Sequence, residues 1–372
     1  METGPATEAL RIHSDMPVFD GHNDLPWALW TGAGGDLEAA DPRHRLPGYH
    51  TDVPRLREGG VGAQFWSVYV PAWTPNPLDA THRQIRLVAE VIARDPENLV
   101  AATSTHDVAA AKRQGRIASL MGAEGGHCIE NSLDALRGLA EAGVRYLTLT
   151  HNDATDWADS ATDRPRHGGL TEFGRAVVAE MNRLGMLVDI SHVSPDTMRQ
   201  AIEHSTAPVI ASHSSAFALA PHPRNVPDDV LEMLGAGGGV VMVNFYPAFV
   251  VESAAHAARA MVDEARELME DASDEAYVEE EMARRVRRRL DRGTVADVVD
   301  HIEHVARVAG TDHVGLGSDF DGIEITPAGL EDVSCYPAIT TELLTRGWGE
   351  AEIRKVLGGN AERVLEAAER PV

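Results

Sequence analysis

Val18-Phe19-Asp20-Gly21-His22-Asn23-Asp24-Leu25 is an apolar run that ends in a histidine and an aspartate two positions apart. Side chains alternate along a β-strand with period 2, so His22 and Asp24 project to one face, about 7 Å apart along the strand. That spacing lets both grip one ion. Imidazole with carboxylate suits zinc or a similar transition metal better than calcium or magnesium, which prefer oxygen shells. A lone His-x-Asp is more often a solvated strand end than a metal site, so the other strands decide.

Apolar, β-branched runs recur at 17–24, 61–70, 117–125, 146–151, 187–192, 209–214, 240–245 and 314–320. Most are continuous rather than alternating, the pattern of parallel strands covered on both faces. Helical spacing lies between them: Ile85, Val88 and Ile92 recur at i, i+3, i+7, and Phe173, Val177 and Met181 at i, i+4, i+8. Strand then helix, eight times, predicts an α/β fold of the (β/α)8 TIM-barrel type, and 372 residues suffice for one such domain, 1–372, with insertions. The first strand–helix connection, 25–60, is long and rich in Gly and Pro, which predicts a loop or lid over the barrel mouth. The stretch 252–292 carries Glu279-Glu280-Glu281, Arg284-Arg285 and Arg287-Arg288-Arg289 around Val286 and Leu290, which predicts a charged, solvated helical insertion after the seventh strand. Ile353, Val356, Leu357, Val364 and Leu365 predict an amphipathic helix against the barrel's flank.

Thirty-three Lys and Arg against 58 Asp and Glu leave a net charge of −25, which disfavours nucleic acid and anionic membrane as partners. Cys128 and Cys335 are the only cysteines, too few for a disulfide framework and not arranged as a Cys-x-x-Cys pair. No stretch reads as a signal peptide or as a membrane span of about 18 apolar residues. A soluble cytoplasmic protein is expected.

In such a barrel the active site sits at the C-terminal ends of the strands. Six of the eight runs end in a chemically capable residue: His22 and Asp24, Glu124, His151, His192, His213 and Asp319. His22, Asp24, Glu124, His192 and His213 are five candidate ligands, one more than a closed tetrahedral zinc site uses. Two ions sharing a carboxylate would use all five. Glu124 is the natural bridge because it falls between the two ligand groups in the chain.

The chain resembles the membrane (renal) dipeptidase family of the amidohydrolase superfamily. The resemblance is carried by Phe19-Asp20-Gly21-His22-Asn23-Asp24, Gln64-Phe65-Trp66-Ser67-Val68-Tyr69, Gly122-Ala123-Glu124-Gly125, Leu147-Thr148-Leu149-Thr150-His151-Asn152, Asp189-Ile190-Ser191-His192, Ser212-His213-Ser214, Arg224-Asn225, Gly317-Ser318-Asp319-Phe320-Asp321-Gly322 and Gly359-Asn360-x-x-Arg363-Val364. It implies a dipeptidase holding two Zn2+ per chain, bridged by Glu124 and a hydroxide. His22, Asp24 and Glu124 would hold one ion, and Glu124, His192 and His213 the other. It further implies that Asp319 handles the hydroxide's proton, His151 binds the developing oxyanion and Arg224 clamps the substrate carboxylate, helped by Tyr69 and Tyr246. The substrate implied is a free dipeptide, with L,D-dipeptides included. A homodimer is compatible with these features. Mammalian members are exported and lipid-anchored, whereas neither a signal peptide nor a hydrophobic tail is expected here.

Two other functions compete, and two further motifs fail on spacing. A related amidohydrolase could use the same metals and Asp319 on a lactone or a non-peptide amide, but Arg224 would then lack a partner. A non-catalytic metal-binding scaffold would have no use for Asp319 and His151. The sequence Asp319-Phe320-Asp321-Gly322 starts like a calcium loop, but its glycine comes two positions early, and 235–239 lacks the Lys-Ser/Thr of a phosphate loop. His82, His106, His301 and His304 are expected at the surface.

Overall fold

A computed structural model describes residues 4–271, 284–286 and 288–369, with backbone only over 262–271. Among the described residues nine parallel strands form in chain order: β1 (Val18–Asn23), β2 (Val61–Ser67), β3 (Leu99–Ala101), β4 (Ile117–Glu124), β5 (Val144–Thr148), β6 (Leu187–Asp189), β7 (Ile210–Ala211), β8 (Val240–Val243) and β9 (Val314–Leu316). Their order is β2-β1-β9-β8-β7-β6-β5-β4-β3, and the pairing of β2 with β4 closes eight of them into a barrel. All eight expected strands are there. β3 is an addition that lies against the start of β4, with Leu99 opposite Ile117 and Ala101 opposite Ser119. Three residues between two helices are too short a run to stand out by pattern.

Phe19, Phe65, Leu120, Tyr146, Leu187 and Met242 are buried in one cluster with Val364 and Leu365 of helix Asn360–Glu369. These two residues therefore close the barrel's floor, while Ile353, Val356 and Leu357 pack in the outer layer between barrel and helices. The expected flank helix thus does both jobs. Helices Pro77–Arg94 and Glu172–Leu184 bury Ile85 and Val88, and Val177 and Met181, as their spacing requires.

The first connection is loop over 34–52, as expected, and helical at both ends. Helix Leu25–Ala33 starts directly after Asp24, and helix Val53–Glu58 precedes β2. Some of its Gly and Pro are helix punctuation: Pro26 and Pro54 sit in first turns, and Gly34 ends its helix at φ 64°, whereas Gly35, Pro42, Pro47 and Gly48 lie in the irregular stretch between the two helices. Leu29, Leu37 and Leu56 are buried in the outer core.

The insertion also departs from a purely solvated helix. Helix Glu252–Asp271 places Ala254 and Met261 against Ala248 and Phe249, and Val286 and Leu290 join the same apolar cluster. Glu279-Glu280-Glu281 and Arg287 lie outside the described residues.

Candidate metal centre and substrate cavity

The functional side chains stand at the ends of the strands or within a few residues beyond them. β1 ends at Asn23 after a register shift, and Asp24 follows it as the residue preceding helix Leu25–Ala33. His22 Nε2 still lies 3.2 Å from Asp24 Oδ2. The two residues meet as the spacing predicts, although Asp24 arrives from a helix start rather than from the strand face. His192 and Asp319 follow β6 and β9 by three residues, and both adopt left-handed backbone, with φ 65° and 64°. Such conformations are uncommon for non-glycine residues and concentrate at functional sites.

Glu124, at the end of β4, sits among the histidines. Its Oε2 lies 3.5 Å from His22 Nε2, whereas its Oε1 lies 3.0 Å from His192 Nε2 and 3.3 Å from His213 Nε2. Ser67 Oγ donates to Oε2 at 3.1 Å. The rear nitrogens are held as well. His22 Nδ1 lies 2.7 Å from the Tyr146 hydroxyl, and His213 Nδ1 lies 2.8 Å from Ser212 Oγ. Ser212 Oγ in turn donates to Asp189 Oδ2 at 2.6 Å, an oxygen that also accepts from Thr148 Oγ1 at 2.6 Å. The amides of Ser191 and Ser212 donate to Asp189 Oδ1. This chain of bonds turns Nε2 of both rings toward Glu124.

The donor set fits a metal. His22 Nε2 and Asp24 Oδ1 are buried and make no hydrogen bond among the described residues. The Nε2 atoms of His192 and His213 face each other at 3.0 Å, a separation at which two lone pairs repel unless a proton or cation lies between them. Three overlapping groups bring ligand atoms within 4.8 Å: His22, Glu124 and His213; Glu124, His151 and His192; His22, Asp24 and Asp319. Mixed nitrogen and oxygen donors of this kind suit zinc and similar ions.

The remaining candidates surround this cluster. Asp319 Oδ2 accepts from Asn244 Nδ2 at 2.8 Å. Burial pushes its carboxyl well above the ordinary range against the pull of His22, and Asp24 and Glu124 add to the rise. His151 lies between the Tyr69 and His192 rings, tilted to both, with its Nε2 3.9 Å from Glu124 Oε1, and burial pushes its pKa down to about 4. It is therefore a neutral imidazole near pH 7. Arg224 is only 3% exposed, and its guanidinium lies 5.2 Å from the centre of the Phe249 ring. Its hydrogen-bond partners are the Ser214 hydroxyl and the His213 carbonyl, both at 3.4 Å and both neutral. No carboxylate among the described residues pairs with it, and burial pulls its pKa down to about 10. Tyr69, Tyr246, His151, Arg224 and Asp319 all line one cavity of about 740 Å3 over the cluster. Every residue singled out for the site thus borders it or its cavity.

Sequence reading missed Tyr146, Asp189, Ser212 and Asn244. The available signal was a polar side chain inside an otherwise apolar strand run. Two of the histidines expected at the surface are buried instead. His301 is 0% exposed, with Nδ1 accepting from the Ala216 amide at 2.9 Å and Nε2 3.2 Å from the Val250 carbonyl. His304 is buried against Asp228 at 2.7 Å. Both lie on helix Val295–Val308, whose buried face includes them beside Val298, Ile302 and Val305. His82 is half-buried, and His106 is exposed as expected.

Comparison with known proteins finds named dipeptidases. The "Dipeptidase aclJ" of Aspergillus oryzae is 44% identical over 95% of this chain and 79% of its own length. The crystal structure of the probable dipeptidase PvdM from Pseudomonas aeruginosa superposes with a TM-score of 0.85 at 25% identity, covering 99% of both chains. A metallopeptidase from Rhodobacter sphaeroides, solved with a phosphinate mimic of the dipeptide L-Ala-D-Ala, has a TM-score of 0.77 at 27% identity and covers 95% of this chain and 99% of its own. The family model described as "Membrane dipeptidase (Peptidase family M19)" matches residues 6–371. With the barrel, the histidine–carboxylate cluster and that match over nearly its whole length, the chain belongs to the membrane dipeptidase family, peptidase family M19.

Proposed function

We propose that this protein is a cytoplasmic dipeptidase that hydrolyses the peptide bond of free dipeptides at a centre of two zinc ions. Arg224 is the observation that carries the substrate class. A buried guanidinium with only neutral partners is costly unless an anion joins it. A free dipeptide brings a carboxylate to that position, one residue from the bond to be broken. Paired, charge-assisted bonds would hold it.

The two faces of Glu124 support a two-ion arrangement: Oε2 with His22 and Asp24 on one side, Oε1 with His192 and His213 on the other. Zinc, when bound, supplies Lewis acidity that lowers the pKa of water to about 7 and polarises a carbonyl. The chain's own residues handle the rest. Asn244 holds Asp319 Oδ2, which leaves Oδ1 to take a proton from the attacking water and return it to the departing nitrogen. Neutral His151 donates from Nε2 to the carbonyl oxygen as negative charge develops there. Tyr69 and Tyr246 flank the substrate from the cavity wall. Acceptance of a D-residue at the C-terminal position is supported by the L-Ala-D-Ala mimic bound to the Rhodobacter sphaeroides relative. The free thiols of Cys128 and Cys335 support the cytoplasmic location.

The test is hydrolysis of L,L- and L,D-dipeptides by the zinc-loaded protein, beside their C-terminal amides and tripeptides. Free dipeptides should be cleaved far faster. Equal rates on amides would favour an amidohydrolase of broader scope.

A further inference from the structure

The charged insertion reaches the cavity. Ala258 and Met261 of helix Glu252–Asp271, together with Val286, line it beside Tyr246, Phe249 and Ile323. Met261 and Val286 are 3% and 9% exposed, although the segment around them is dominated by charge. Ala254, Ala258 and Met261 follow one another at i, i+4, i+7, so they share a helix face, and that face is packed on Phe249 rather than turned to water.

Phe249 links this wall to the substrate anchor. The same ring carries the Arg224 guanidinium at 5.2 Å and belongs to the cluster of Met261, Val286 and Leu290. The apolar wall therefore begins at the ring on which the Arg224 guanidinium rests. The cavity, at about 740 Å3, has room for a large side chain.

We propose that the insertion is a specificity element: Met261 and Val286, with Phe249 and Ile323, form an apolar seat for the side chain of the substrate's C-terminal residue. This rests on the dipeptidase reading and adds to it the class of substrate, dipeptides ending in a large apolar residue such as leucine or phenylalanine. An apolar seat of this kind discriminates through burial that a glycine cannot supply.

The test uses the zinc-loaded full chain and compares kcat/KM on Ala-Gly, Ala-Leu and Ala-Phe, with Leu-Gly as the control for the N-terminal side chain. Wild type should favour Ala-Leu and Ala-Phe over Ala-Gly by roughly 10–100-fold. Met261→Ser, and separately the nearly isosteric Val286→Thr, should shrink that ratio several-fold without shifting the ratio of Leu-Gly to Ala-Gly. Equal losses on Ala-Gly and Ala-Leu in both variants, or a wild type indifferent to the C-terminal side chain, would overturn the seat while leaving the dipeptidase reading intact. A wild type that cleaves no dipeptide overturns both.

Discussion

His22 Nδ1 and the Tyr146 hydroxyl stand 2.7 Å apart inside the closed barrel, joining residues from strands β1 and β5 that do not pair with each other. Space for the Tyr146 ring comes from Gly122 on β4, where a Cβ would overlap it. The bond orients His22 so that Nε2 faces Asp24 and Glu124, the kind of outer contact that tunes a metal ligand. Tyr146→Phe keeps the packing and removes the bond. It should weaken the binding of one ion by roughly 10–100-fold, with activity recovered at high zinc. Chelator competition measures this, and unchanged affinity would reduce Tyr146 to a packing residue.

Metal content tests the division of Glu124 between two ligand groups. Elemental analysis of purified wild type should give two ions per chain. His192→Ala should lose mainly one, and Glu124→Ala should weaken both. A fully active wild type with a single ion would rule out the dinuclear centre.

Asp319→Asn leaves a side chain of the same shape that cannot shuttle a proton. Turnover should fall about 10²–10⁴-fold, the usual worth of general acid–base catalysis, with metal content unchanged. Near-normal kcat at full metal loading would remove Asp319 from proton transfer.

Arg224→Met tests the carboxylate clamp. Losing a charged hydrogen-bond partner typically costs about 1.5–3 kcal/mol, or roughly 10–150-fold in kcat/KM when the bond persists in the transition state. Free dipeptides should suffer this loss, and dipeptide amides, already poor, should hardly change. Parallel losses on both would show that Arg224 acts by packing on Phe249 rather than by binding the carboxylate.

His301 makes stability sensitive to acid. Burial pushes its pKa down to about 4 against the Val250 carbonyl, and Nδ1 cannot take a proton while it accepts from Ala216. Because the folded-state value lies below the unfolded 6.5, stability is complete above pH 6.5, falls as the pH drops toward 4 and levels off below that. The whole effect is on the order of 3 kcal/mol at most. Urea unfolding of His301→Gln should start lower at pH 7 but decline less steeply between pH 6.5 and 4 than wild type does. Parallel declines would assign the proton uptake elsewhere, to groups such as His13 and His50 that burial also holds near 4.

Much of this protein can be read along the chain because its repeating unit is local. A parallel strand buried on both faces must be apolar through its length, so a histidine or carboxylate at its end marks the barrel mouth; His22, Glu124, His192, His213 and Asp319 were recoverable for that reason. What only closure of the barrel decided depends on partners far apart in sequence. His22 gains Tyr146, His213 gains Asp189 through Ser212, and Asp319 gains Asn244, each across strands whose register no local pattern specifies. His301 illustrates the same limit, because helix Val295–Val308 turns it inward toward Ala216 and Val250. The charged insertion shows it most fully: charge density foretold a solvated helix, yet a helix has two faces, and which of them met Phe249 was settled by the fold.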